Sequence, residues 1–143
     1  MRRCLAVLLT AFAASAFALP RLDVADVFSM DADEIAGCGK CEFEVQVSFV
    51  VPWVPQSFVA TDVGDADGRA LYFTTYSEPP PGLFDRVKPG DVALVVGTPD
   101  PMQLEPGVEV ESVKVVSHAD LAPPRARSVL EIKAGRYNNC RVH

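Results

Sequence analysis

Two short motifs carry the side chains best suited to metal or redox chemistry: Cys38-x-x-Cys41 and, at the far end of the chain, Cys140-x-x-His143. Three thiolates and an imidazole would make a tetrahedral zinc site, and both pairs have ligand spacing. The two pairs are remote in sequence, and a structural zinc site needs all four ligands to converge. The expectation is therefore no cofactor and no metal, with Cys38, Cys41, Cys140 and His143 as the one set that could hold zinc. A disulfide between Cys38 and Cys41, with Cys140 free, is the preferred reading. A redox-active Cys-x-x-Cys usually opens a helix in a βαβ setting. This one lies between a helix stop and a strand, which argues against redox catalysis.

Other groupings offer less. Ser117-His118-Ala119-Asp120 holds the residue types of a hydrolase triad. Neighbours on a strand point to opposite faces, so they cannot form a relay, and His118 is expected on the surface at a strand end. Asp65, Asp67 and Gly68 hint at a calcium loop. The EF-hand pattern would require acids where the chain has Val63 and Thr74, so these residues read as turn formers. Phosphate-loop and dinucleotide fingerprints do not occur. The chain is expected not to be an enzyme.

The elements that would position any site follow from hydrophobic patterning. Phe43, Val45, Val47, Phe49 and Val51 alternate with Glu44, Gln46, Ser48 and Val50, the period of a half-buried strand. Pro52-Trp53-Val54-Pro55 ends that strand. Ser57 to Val63 is a second strand, Gly64 to Gly68 is hairpin chemistry, and Arg69 to Tyr76 is a third strand. Pro79-Pro80-Pro81 cannot donate to a ladder, so the chain leaves the sheet there. Leu83, Phe84 and Val87 are spaced for a short helix. Lys88-Pro89-Gly90-Asp91 then turns into Val92 to Gly97, and Val108 to Ser117 closes the set, with alternation breaking near Ser112 as at a bulge. Before the first strand, Asp31 and Glu34 stand at capping-box spacing and Gly37 can stop the helix between them.

Three strands, a helical plug and two strands is the order of an OB-type barrel. The expected class is all-β: a five-stranded OB-fold-like Greek-key barrel with a short helix between strands 3 and 4 and short flanking helices. Residues 41–120 form the barrel, and 19–40 are a lead segment with a short helix. Residues 121–143 are a linker, followed either by a helix packed on the barrel or by the opening of a second repeat. Glu131-Ile132-Lys133-Ala134-Gly135 echoes Glu34-Ile35-Ala36-Gly37, and Cys140 to Val142 echoes Cys41 to Phe43.

Residues 1–18 read as a signal peptide. Arg2 and Arg3 precede an uncharged apolar run, and Ala16-Phe17-Ala18 offers small residues for cleavage. The run is shorter than the roughly 20 residues that span a bilayer. A periplasmic or secreted location is expected. From Leu19 to Asp120 the chain carries 6 basic and 18 acidic residues, a balance of −12. A nucleic-acid surface needs the opposite sign, so nucleic acid is not an expected partner.

Phe58 to Tyr76, Lys88-Pro89-Gly90-Asp91 with Val95 to Gly97, and Val113 to Pro124 resemble the extracytoplasmic OB-fold domains that precede bacterial sensor histidine kinases. The resemblance implies a sensing role, tandem copies and a membrane association only as part of a longer receptor. It implies no kinase activity for this stretch. Barrels of this type bind on the face of strands 2 and 3 and on the loops joining strands 1–2 and 4–5. Here that means Pro52 to Gln56, the outward residues of strands 2 and 3, and Thr98 to Pro106. Trp53, Gln56, Tyr72 and Tyr76 are the candidate ligand-binding residues, against the plainer alternative that the aromatics are ordinary rim and strand residues. The expected function is a non-catalytic exported binding or sensing module for a small molecule, sugar or protein partner. The alternative is a protein-interaction or structural module, or a cysteine-based metal or redox protein.

Overall fold

Strand β1, Cys41–Val51, starts as the alternation dictates: Cys41, Phe43, Val45 and Val47 are all buried. At Ser48 the register against the next strand shifts, and the alternation inverts. Phe49, expected to face inward, is 51% exposed, and Val50 packs against the core instead. The cause is a β-bulge, which inserts one residue on one side of the ladder and so exchanges the two faces beyond it.

The computed structural model describes residues 18–51, 57–65, 68–75, 82–102 and 105–123. The strands after β1 are β2 (Ser57–Asp62), β3 (Leu71–Thr74), β4 (Asp91–Asp100) and β5 (Gly107–His118). Antiparallel ladders join β1 to β2, β2 to β3, β1 to β4 and β4 to β5. A parallel ladder pairs Tyr72, Phe73 and Thr74 with Gly107, Val108 and Glu109. Together they close a ring in the order β1-β2-β3-β5-β4. β5 carries two register shifts, one beside Ser112, where the sequence breaks its alternation, and one near Val116. At Gly97 a side chain would meet Val108 Cγ1 at 2.5 Å and Glu109 O at 2.6 Å, so glycine is what lets β4 and β5 approach there.

Inside the ring, Phe73 is the hub. Phe58 stacks on it at 5.1 Å between centroids, and Phe43 meets it edge-on at 5.7 Å. Such pairs add about 0.5–1.5 kcal/mol each beyond the burial itself. Phe84 reaches in from the β3–β4 connection and meets Phe58 at 5.8 Å. The short helix expected in that connection is absent from its described residues: 82–90 form turns. Gly82 and Gly90 have φ of 82° and 92°, and the Val87 N–H bonds the Phe84 carbonyl in a single turn. Left-handed glycines at both ends prevent a helix from propagating, yet Phe84 and Val87 still bury.

Two short helices precede β1: α1 (Val24–Ser29) and α2 (Ala32–Gly37). α2 has the expected capping box. The Asp31 carboxylate accepts the Glu34 N–H, and the Glu34 carboxylate accepts the Asp31 N–H, both at 2.9 Å. α1 is not anticipated by the caps read above. It is held from a distance: the Asp62 carboxylate, at the end of β2, accepts the N–H groups of Val24 at 2.7 Å and Ala25 at 3.0 Å. No helix among the described residues is long and apolar enough to cross a membrane.

Candidate ligand-binding groove

α1, α2, the residues after the β2–β3 turn and the β4–β5 loop border an open groove of about 390 Å³. That volume is in the range of small-molecule sites, roughly 300–1,000 Å³. Val27 and Ile35 form its buried floor, because each helix turns its apolar residues toward the barrel. Phe28, Met30 and Ala32 line the helical wall. The opposite wall is made by Pro101, Met102, Glu105 and Pro106 from the β4–β5 connection.

Met102 gives that loop its shape. Its φ is 48°, in the left-handed region that residues with a side chain rarely adopt. The Asp100 carboxylate holds it there by accepting the Met102 N–H at 2.8 Å. Gly107 makes room beside it, since a Cβ at that position would lie 2.6 Å from Met102 Sδ. A backbone residue kept in an unfavourable conformation by its surroundings is a frequent mark of a ligand site.

Arg69 is the cation of the groove. Its guanidinium carbon lies 4.0 Å from the centroid of the Phe28 ring. One terminal nitrogen donates to Glu105 Oε1 at 3.1 Å, while its Nε is buried with no hydrogen-bond partner. The two side chains are 32% and 27% exposed. An ion pair this open to solvent contributes at most about 1 kcal/mol, so its main effect is to place two opposite charges among the apolar side chains of the cleft. Phe28 adds a cation–π contact that fixes the guanidinium plane.

Of the ligand-binding residues expected from the sequence, Tyr72 is described. It lies half-buried on β3, where its hydroxyl accepts the Ser57 Oγ–H at 2.8 Å. Trp53, Gln56 and Tyr76 lie outside the described residues, as do residues 1–17, the tail from Pro124, Cys140 and His143. Of the range Thr98 to Pro106 expected as a binding loop, residues 98–100 continue β4 instead, while Pro101, Met102, Glu105 and Pro106 line the groove. Phe28, Arg69 and Glu105 were not singled out from the sequence. A usable signal was there: Val24, Val27 and Phe28 have helical spacing behind Asp23, and Asp26 accepts the Asp23 N–H at 3.1 Å.

Cys38 and Cys41 do come together, with Sγ atoms 3.6 Å apart and both thiols free. Burial, then a hydrogen bond and charge repulsion from Cys38, push the Cys41 thiol up from 9.0 to about 11. A thiol of this kind is a poor nucleophile near neutral pH. Among the described residues no three His, Cys, Asp or Glu side chains gather as a metal site. His118 is exposed at the end of β5, as expected, and its Nδ1 pairs with Asp91 Oδ1 at 2.8 Å. It lies 4.0 Å from Asp120 through Nε2.

No protein-family model matches the chain, and no curated protein matches it.

Proposed function

We propose that this protein is an exported, non-catalytic binding module on an OB-type barrel, with its ligand seated in the groove beside Arg69. The observation that carries the reading is the groove itself: an open cleft of mixed polarity, lined by apolar side chains around one positioned ion pair and a strained Met102. The OB assignment draws support from the ring order, with its single parallel ladder between β3 and β5. The exported address rests on the leader pattern in residues 1–18. The sensing role rests on the resemblance to receptor ectodomains, in which occupancy of the barrel is passed along the segment after Asp120.

The experiment is a thermal-shift screen of apolar fragments against the mature protein and an Ala32→Trp variant. Ala32 is exposed on the helical wall, so a tryptophan there fills the groove without entering the core. Ligands in the groove stabilise the parent by about 2.7 kcal/mol at a hundredfold excess over Kd, raising its melting temperature, and have no effect on the variant. Equal shifts in both proteins place the ligand elsewhere and end this reading.

A further inference from the structure

We infer that the groove takes a zwitterion, a free α-amino acid with an apolar side chain. This deepens the groove reading and depends on it. Arg69 and Glu105 set opposite charges 3.1 Å apart within an otherwise apolar lining. An α-amino acid bears its carboxylate and its ammonium on one carbon, so its two charges adjoin in the same way. Laid antiparallel to the protein's pair, it gives its carboxylate to Arg69 and its ammonium to Glu105. Every charge then has a partner of opposite sign.

Other classes fit less well. An anion without an ammonium meets Glu105 and the −12 balance of residues 19–120. A cation without a carboxylate meets Arg69. A neutral apolar molecule leaves the ion pair as it is and gains no orientation from it. Phe28 lies against the Arg69 guanidinium, whose N–H donors all lie in its plane. The side chain of the ligand would lie over Val27 and Ile35, between Met30 and Met102. Thioethers repack easily, so leucine, methionine and phenylalanine are all expected to be accepted.

The test is calorimetric titration of the mature protein with phenylalanine, N-acetylphenylalanine, phenylalaninamide and the doubly blocked N-acetylphenylalaninamide. Each blocked form is expected to bind at least about tenfold more weakly than phenylalanine, since a charged hydrogen bond is lost in each. Arg69→Gln should make phenylalanine and its amide equivalent. Glu105→Gln should make phenylalanine and its N-acetyl form equivalent. Should either variant fail to fold, the four ligands on the parent protein decide alone. Doubly blocked ligand binding as tightly as phenylalanine, with Ala32→Trp abolishing both, overturns the zwitterion and leaves the groove. Binding of none of the four, while neutral apolar fragments still fill the groove, overturns it equally. No binding by either group removes both the zwitterion and the groove reading.

Discussion

The Asp62 carboxylate accepts the Val24 N–H at 2.7 Å across 38 residues of chain, and this contact seats α1 on the end of β2. α1 supplies Val27 and Phe28 to the groove, so the carboxylate at a strand end determines where the groove wall stands. Asp62→Ala removes the acceptor for two N–H groups at a helix start. A cost of about 1–2 kcal/mol is expected, the usual cost of a lost N-terminal cap. Urea unfolding measures it, and ligand affinity in the groove should fall with it.

The bulge at Ser48 makes a second expectation sharp. Plain alternation treats Val47 and Phe49 as equivalent core residues, but Val47 is fully buried and Phe49 is 51% exposed. Phe49→Ser is expected to change stability by no more than about 0.5 kcal/mol. Val47→Ala should cost about 2 kcal/mol through the cavity it leaves. Equal losses at the two positions would mean that β1 runs without a bulge.

These cases show what the sequence could reveal. All five strands are legible because turn residues such as Gly64 and Gly90 punctuate runs of β-branched residues, although β4 runs on past Gly97 to Asp100. α2 is legible because its capping box is local. The bulge in β1 is not, since it is a relation between Val47 and Phe49 on one strand and Ala60 and Val59 on another. α1 has a partial local signal, but its anchor at Asp62 is long-range. The groove was half legible for the same reason. Its β4–β5 wall falls in a loop named from the sequence, whereas Arg69 becomes a site residue only once α1 brings Phe28 over it.

Cys41 makes stability depend on pH in the reduced protein. Its thiol titrates at 9.0 when unperturbed and is pushed up to about 11 in the fold, mainly by burial. Between those values the unfolded chain loses a proton that the folded chain keeps, so stability falls as pH rises. The contribution is complete below pH 9.0 and gone above about pH 11. Denaturant midpoints measured across that window should decline more steeply for the parent than for Cys41→Ala. In oxidised protein, peptide mapping should find Cys38 joined to Cys41, and this pH dependence should disappear.

Gly90 sits at the corner where β4 begins and the end of β5 passes. Its φ is 92°, and a Cβ there would stand 2.7 Å from Ala119 O and 2.8 Å from His118 Cε1. Its N–H bonds Val47 O at 2.8 Å, and its carbonyl accepts the Ala119 N–H at 2.9 Å. Gly90→Ala is expected to cost about 1–3 kcal/mol from backbone strain alone. The thermal midpoint should fall accordingly, and the His118–Asp91 pair should be displaced.

The groove is the centre of this account, and methyl NMR tests it most directly. With Met, Ile and Val methyls labelled, apolar fragments are titrated into the protein. The Met30, Met102, Ile35 and Val27 signals should move first and saturate together, while Val59 beside Tyr72 stays still. Shifts centred on Val59 and the outer face of β2 and β3, with the groove methyls unmoved, would contradict the account.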